Sequence, residues 1–297
     1  MNKFRSLFKP RIGILNHYPP RTLNIPKSYF KVKRIDNYPK ISIVTPSFNS
    51  FSFLESTIRS VIGQNYPELE YIIQDGGSDD GTIKILKKYS GSLTHWESKK
   101  DGGQACAINT GFKYASSEIM AYLNSDDVLL PGSLNYIAWY FSKHTEVDVI
   151  YGHRILIDEN GHDIGRWILP PHCRYTLTWH DFIPQETLFW RNSIWEKVGE
   201  GINESFQFAL DWELIMRFQE MGAKFVRLPR FLGAFRVHQD MKSIKIADTV
   251  GNHEMNILRK KYQDPNISDR RLEKYIKNYL WRHVILDRLY NKGLIRY

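Results

Sequence analysis

The sequence predicts an α/β fold, a mostly parallel sheet with helices on both faces. Two observations carry that expectation. Short apolar runs alternate with helically spaced segments from Ile41 to about Lys143, which is the pattern of strand–helix–strand units. Polar motifs follow the first, second and fourth apolar runs, and open sheets of this kind bind ligands outside the carboxyl ends of their strands.

Ile41–Thr45 is the first predicted strand, and Leu54, Ile58, Val61 and Ile62 follow at helical spacing. Leu69–Ile73 is a second strand, Thr82–Tyr89 a short helix and Leu93–Glu97 a third strand. Gln104–Tyr114 reads as a helix with Ala105, Ile108 and Phe112 inward, and Glu118–Leu123 as the fourth strand. Pro131 is expected to open a helix running to about Lys143, since its fixed φ suits the first turn. The second half is less regular. Asp148–Tyr151, Arg154–Asp158, Glu186–Trp190 and Phe231–Val237 read as strands, and Ile194–Val198 as a short helix. Ala209–Met221 is an amphipathic helix closed by Gly222. Residues 1–40 lack periodicity and read as an extended basic arm. In the C-terminal segment Leu272, Tyr275, Ile276, Tyr279, His283, Leu286 and Tyr290 share one helical face, with Lys274, Lys277 and Arg288 opposite. The expected division is 1–40 arm, 41–245 main domain with halves at 41–130 and 131–245, and 246–297 helical extension.

The charge is unevenly spread. The chain carries +9 overall, residues 1–40 hold +9, residues 256–297 hold +7, and the block between them holds −7. Basic ends suit a phosphate-bearing partner such as an anionic membrane surface. A basic amphipathic helix can lie on such a surface, or it can pack on the domain or in a homodimer. No recognised nucleic-acid module is present, so nucleic acid is not an expected partner. No apolar run approaches the roughly 20 residues that span a bilayer, and the basic N-terminus is not followed by the apolar stretch of a secretory leader. Cys106 and Cys173 stand far apart, which suggests a reducing compartment. The expected location is cytoplasmic, peripheral at the inner membrane face.

The chemistry concentrates at Leu123-Asn124-Ser125-Asp126-Asp127-Val128. An isolated Asp-Asp would read as a solvated turn. Here it follows a buried strand, where neighbouring side chains point to opposite faces and can serve two parts of one ligand. Hard cations prefer carboxylate oxygens and share them with phosphates. Further motifs stand in order: Thr45-Pro46-Ser47-Phe48-Asn49, Asp75-Gly76-Gly77-Ser78-Asp79-Asp80-Gly81-Thr82, Asp101-Gly102-Gly103-Gln104 and Ala209-Leu210-Asp211-Trp212-Glu213-Leu214.

This ordered set, over roughly residues 41–245, resembles family 2 glycosyltransferases of the GT-A fold, notably bacterial enzymes of surface-polysaccharide synthesis. The resemblance implies an inverting enzyme that moves a sugar from a nucleotide-sugar, UDP-linked, to a glycan or lipid-linked acceptor. It implies Mn²⁺ or Mg²⁺ at Asp127, with His238 closing over the diphosphate or metal. Asp75 would bind the uracil ring, Thr45, Pro46, Ser47 and Phe48 would line the nucleotide pocket, Asp101 would lie near the nucleotide, and Asp126 near the ribose or sugar. Gln185 is expected at the acceptor and donor sugar. The resemblance makes Asp211 the base; Glu213 competes, but two residues apart on a helix they diverge by about 200°, so only one can face the site. The chain departs from the family at Gly76, Lys99, Cys106 and Thr110. A nucleotidyltransferase also pairs carboxylates with metal and nucleotide, but residues 45–50 lack the glycine and lysine of its phosphate loop. A non-catalytic nucleotide-sugar-binding scaffold would not need Asp75, Asp126, Asp127 and Asp211 together.

Overall fold

The computed structural model describes residues 9–199 and 201–297, so Lys3 and Arg5 of the basic arm lie outside the described residues. The strands, in chain order, are β1 Ile41–Ser47, β2 Leu69–Asp75, β3 His95–Ser98, β4 Ile119–Tyr122, β5 Val128–Leu129, β6 Val149–Ile157, β7 Asp163–Trp167, β8 Phe189–Arg191 and β9 Phe225–Arg236. The main helices are α1 Phe51–Ile62, α2 Thr82–Tyr89, α3 Gln104–Phe112, α4 Ser133–Lys143, α5 Asn192–Val198, α6 Leu210–Glu220, α7 Asn252–Tyr262 and α8 Asp269–Asn291.

All nine strands join one sheet, in the order β3-β2-β1-β4-β8-β6-β9-β5 with β7 on β6. Strands β3, β2, β1 and β4 are parallel. β8 runs antiparallel to both β4 and β6. Two reversals restore the direction, so β6 runs with β4, and β9 is parallel to β6. The carboxyl ends of β1–β4, β6 and β9 therefore share one edge, and the loop from β4 to β5 lies on it.

Period-two alternation divides the core between the two faces. Ile41, Ile43, Tyr71, Ile73, Ile119 and Ala121 pack against Leu54, Ile58 and Val61 of α1 and Leu134, Ile137 and Phe141 of α4. Val44, Ile72, Met120 and Tyr122 face the other way, against Ile108 and Phe112 of α3 and Trp212, Leu214 and Phe218 of α6. A sheet buried on both faces reads as continuous apolar runs, as β1, β2 and β4 do.

Several expected boundaries move. Asp148–Tyr151 and Arg154–Asp158 are one strand, β6, in which Gly152 lets Leu232 and the Arg230 carbonyl approach within 2.6 and 2.7 Å of where a Cβ would stand. Pro131 does not begin a helix. It leads into Gly132, which has φ +70° and lies against the Tyr29 carbonyl, and α4 starts at Ser133. Glu186 sits in a single 3₁₀ turn, Gln185–Thr187, before the short β8. β9 starts six residues before the expected Phe231 and ends at Arg236. The strands β5 and β7 carry no clear apolar alternation and were not expected.

The described part of the N-terminal arm is laid against the domain. His17 donates its amide to Ile164, and Arg21 exchanges two backbone hydrogen bonds with Asp163 on β7. The Asp163 carboxylate accepts from the Tyr18 hydroxyl and Arg21. Tyr29 is buried, with its hydroxyl accepting from the Phe231 amide at 3.0 Å. The two basic ends meet: the Arg11 amide donates to Nε2 of His283 on α8, and Arg11 lies 3.7 Å from Asp287. The apolar stripe of α8 turns inward, with Tyr279 on Phe182 and Tyr275 stacked on Tyr175.

Gly111 shows how tightly α3 rides on β1. A Cβ there would stand 2.5 Å from Cγ1 of Val44. Gly111→Ala should therefore destabilise the fold by about 1–3 kcal/mol, the usual cost of overpacking a dense core. Denaturant titration checks this, and an unchanged midpoint would mean that the helix shifts freely.

Candidate active site

The acidic loop between β4 and β5 is held from three sides. Thr57 of α1 points its hydroxyl at the carbonyls of Ser125, 2.9 Å away, and Asp127, 2.7 Å away. Arg236, the last residue of β9, donates its amide to Oδ1 of Asp127 at 3.0 Å and its Nε to the Asp126 carbonyl at 2.9 Å. Its remaining nitrogens go to the carbonyls of Asp158 and Glu159 and to the Ser56 hydroxyl. Asp127 is 1% exposed, and among the described residues its Oδ2 has no hydrogen-bond partner. Burial pushes its carboxyl well above the ordinary range, helped by the charges of Asp126 and Glu186, while the Arg236 amide and Arg154 oppose the shift. Asp126 is half-buried, with Oδ2 3.0 Å from Nε2 of His238.

An orphaned buried carboxylate oxygen beside a second carboxylate suits a hard divalent cation. Among the described residues no cluster of three or more His, Cys, Asp or Glu side chains could hold a metal. The unpaired oxygen of Asp127 therefore fits an ion that takes one carboxylate there and the rest of its shell from phosphate oxygens and water. His238, expected at the metal, instead reaches this pair through Asp126, with its ring tilted on Phe53 at 4.7 Å.

At the ends of β1 and β2 the expected nucleotide residues divide. Asp75 is fully buried, and its carboxylate accepts from the amides of Gly77 and Ser78 and the hydroxyls of Ser78 and Ser98. Those four bonds, three on Oδ2 and one on Oδ1, make it the brace of the β2 turn. Thr45 and Pro46 are buried within β1, and the Thr45 hydroxyl pairs with that of Tyr71 at 3.1 Å. They shape the floor from beneath. Ser47 keeps a buried hydroxyl without a partner. Phe48 is 65% exposed. A Cβ on Gly76 would meet Phe48 Cδ2 at 3.3 Å and Asp101 Oδ1 at 3.3 Å. Gly76 thus leaves a slot between an exposed ring and a carboxylate, which joins Phe48 and Asp101 at one place.

The β6 side of the site is built around a buried ion pair. Arg154 on β6 makes a two-pronged bond to Glu186, at 2.8 and 2.6 Å. That pair pins the Gln185–Thr187 turn, from which Gln185 donates Nε2 to the Tyr122 carbonyl at 2.6 Å and leaves its buried Oε1 unpaired. Asp211, in the first turn of α6, is half-buried, and its Oδ1 accepts from the Trp212 amide at 2.9 Å. Burial raises its carboxyl, while the adjacent amides and Arg154 pull it down. Glu213 faces elsewhere. Its carboxylate is fully buried against Nε of Arg217, whose Nη2 reaches the Gly201 carbonyl. This ion pair removes Glu213 from the acceptor set, and the divergence of the two acids along the helix is the reason.

The match to known proteins follows this geometry. The family model described as Glycosyl transferase family 2 matches residues 42–198. The chain belongs to this family. An uncharacterized glycosyltransferase of Mycobacterium tuberculosis is 31% identical over 183 residues, covering 60% of this chain and 68% of that protein. The chondroitin synthase of Pasteurella multocida is 27% identical over 218 residues, which are 72% of this chain but 22% of the synthase. Among solved structures, S. aureus TarS in complex with UDP-GlcNAc has a TM-score of 0.62 at 19% identity, covering 82% of this chain and 72% of that one. The mannosyltransferase PcManGT from Pyrobaculum calidifontis, in complex with GDP-Man and Mn²⁺, has a TM-score of 0.59 at 15% identity, covering 88% of this chain and 77% of that one. At these identities the likeness is one of fold, and that fold is GT-A.

Residue spacing alone missed several members of the glycosyltransferase's site. Arg154 and Glu186 lie far apart in sequence and meet only through sheet order. Arg236 was within reach of pattern reasoning, since it stands two residues before His238 and so shares its face at the strand end. Asp181 carried no signal. Its carboxylate accepts from the Ile183 amide at 3.0 Å, and burial together with the Asp211 charge pushes it well above the ordinary range. A carboxyl with a raised folded-state pKa stabilises the fold while protonated, and that contribution is lost as pH rises through the raised value. Asp181→Asn keeps the acceptor for Ile183 and removes the charge. The variant should therefore be more stable than the parent at about pH 8 and close to it at about pH 4. Urea titrations at the two pH values decide it, and equal stability at both would show that Asp181 carries its charge in the fold without cost.

Proposed function

We propose that this glycosyltransferase is an inverting enzyme that moves a sugar from a UDP-linked donor to a hydroxyl of a glycan or lipid-linked acceptor. One observation carries the reading. Asp127, with an unpartnered oxygen, and Asp211, a raised carboxyl at a helix start, bear on the same buried Tyr122 hydroxyl. A group suited to the donor diphosphate and a group suited to the acceptor thus both act on the end of β4.

In this reading Phe48 and Asp101 hold the base beside Gly76. Asp126 and Asp127 take the donor's ribose, sugar and diphosphate end, oriented by Arg236 and His238. A Mn²⁺ or Mg²⁺ ion held by Asp127 and Asp126 would neutralise the charge that gathers on the departing diphosphate. Asp211 takes the proton from the acceptor hydroxyl. That oxygen bonds to the anomeric carbon from the face opposite the leaving group, the carbon–oxygen bond to the diphosphate breaks, and its electron pair leaves with the nucleotide. Burial raises the Asp211 carboxyl toward the working pH, which suits a general base. Arg154 and Glu186 hold Gln185 beneath the reacting groups.

Asp211→Asn should keep donor affinity and cut turnover by about 10²-fold or more, the usual worth of a general base. Glu213→Gln should act on stability, through Arg217. Steady-state rates with donor-binding titrations test the pair, and the assignment of the base falls if Glu213→Gln is the crippling change.

We also place the acceptor at an anionic membrane surface. Among the described residues no helix is long and apolar enough to cross a membrane. The outward side of α8 exposes Lys274, Lys277 and Arg282 beside Trp281 and Ile285, a surface of the kind that lies on anionic lipid at about 1 kcal/mol per basic residue. Because the stripe of α8 is packed, the test is charge reversal rather than deletion. Lys274→Glu, Lys277→Glu and Arg282→Glu together should abolish flotation with phosphatidylserine vesicles at low salt and spare UDP binding. Parent protein that ignores such vesicles would refute the proposal.

A further inference from the structure

The helix that carries Asp211 starts without a cap of its own. α6 is preceded by Ala209, which has no side-chain acceptor to offer, where Ser, Thr, Asp or Asn is usual. Residues 201–208 before it lie in turns, bends and irregular chain. The hold on this junction comes from 45 residues further along. Glu254, in the first turn of α7, is 5% exposed. Its Oε1 accepts from the Gln207 amide at 2.7 Å, and its Oε2 from the amides of Phe208 and Ala209 at 2.9 and 2.8 Å. Three successive amides close on one carboxylate, in the manner of a backbone nest for an anion. The Ala209 carbonyl then accepts the first helical bond, from the Glu213 amide at 2.9 Å. α7 grips the same region twice more. Gly251 lies on the Phe208 ring, where a Cβ would stand 3.0 Å from Cγ and Cδ1. Arg259 donates Nε to the carbonyl of Trp179 at 2.8 Å, two residues before Asp181. One helix thus ties together the two segments that bring the charges of Asp181 and Asp211 to bear on each other.

Resting on the reading of Asp211 as the base, we propose that Glu254 is a positioning residue of this glycosyltransferase. By anchoring residues 207–209 it sets where α6 begins, and so where Asp211 stands against the acceptor hydroxyl. Asp211 accepts from the adjacent Trp212 amide, a contact within its own turn that travels with the helix and fixes nothing against the rest of the site. Trp212 donates Nε1 to the Leu177 carbonyl at 2.8 Å and holds the helix sideways. The Glu254 contact fixes its start. Amide bonds to an ionised carboxylate are roughly twice as strong as neutral ones, so this anchor is firmer than an ordinary hydroxyl cap. Its accuracy matters because a displacement of about 1 Å, caused far from the chemistry, can cost about 10²-fold in rate. Glu254 acts at a distance, since both its oxygens face the backbone of residues 207–209.

The test is a double-mutant cycle of Glu254→Gln with Asp211→Asn. Gln keeps the size of the side chain and removes the charge that the three amides share. Rates are read as UDP release with water as acceptor, from whichever of a panel of UDP-sugars the parent turns over fastest. Calorimetry with UDP reports that each variant is folded. Glu254→Gln should lower kcat about tenfold and leave UDP affinity and the donor KM unchanged. In the Asp211→Asn background the same change should have no further effect on kcat, because the group it positions is gone. Gly251→Ala presses a methyl group on Phe208 with the carboxylate intact. It should behave likewise, and it decides the matter if Glu254→Gln no longer binds UDP. An unchanged kcat in Glu254→Gln, or an equal loss in both backgrounds, would overturn the assignment, while a crippled Asp211→Asn keeps the base reading intact. A parent-like rate in Asp211→Asn would overturn the base reading, and this assignment with it. A parent that turns over no UDP-sugar would overturn the donor reading and both that follow from it.

Discussion

Arg154 and Glu186 form a buried ion pair on which both halves of the site lean. Its two short bonds join β6 to the Gln185–Thr187 turn, and the guanidinium is sandwiched over Trp167 and Phe235, 4.7 and 4.5 Å from their ring centres. Taking two charges out of water is costly, and breaking such a pair from one side costs about 3–5 kcal/mol because the other charge is left uncompensated. The pair holds Gln185 under Tyr122. It also sets the local field. Arg154 draws down the carboxyls of Asp127, Asp181 and Asp211, each of which burial drives up. Without that cation the acidic cluster would be protonated more strongly, and its members would lose the capacity to bind a cation or accept a proton.

The end of β9 does comparable work at the donor edge. Arg236 closes the acidic loop through its amide on Asp127 and four side-chain bonds, three of them to carbonyls. The result is a rigid loop with one carboxylate oxygen of Asp127 left unpaired. Leaving a buried acceptor unsatisfied costs about 1–3 kcal/mol, so this oxygen is a local instability. Strain of that kind is expected where binding, not folding, is the purpose. The strap from His238 to Lys242 continues from the same strand end. One strand thereby fixes the acidic loop and leads on to His238, which contacts Asp126.

Much of the first half was legible because its physics is local. The runs at Ile41, Leu69 and Ile119 place strands by their apolar continuity, and the spacing of Leu54, Ile58 and Val61 places α1. Parallel order follows, and with it the shared edge on which residues 45–48, 75–82 and 124–127 stand. The second half was less legible. β6 reads as two strands because Gly152 and polar His153 interrupt its apolar run, and His153 is buried against the ring of Tyr297, which no local pattern reveals. Asp75 looked like a ligand residue because it ends a strand before glycines. Ser98, supplied by β3, adds a third bond to its Oδ2, and only strand pairing brings the two together.

By itself, then, the sequence determined the alternation of strand and helix and the edge that carries the acidic pair. Each follows from spacing along one segment, where periods of 2 and 3.6 decide which way a side chain points. Tertiary structure alone decided that Asp127 has an unpaired oxygen, that Asp75 braces the β2 turn, that Glu213 belongs to Arg217, and that Arg154 and Asp181 lie among the same carboxyls. Those outcomes depend on burial and on partners from remote segments. Whether a carboxylate is a ligand or a strut is settled by how many donors the fold brings to it, a quantity absent from any local stretch of sequence.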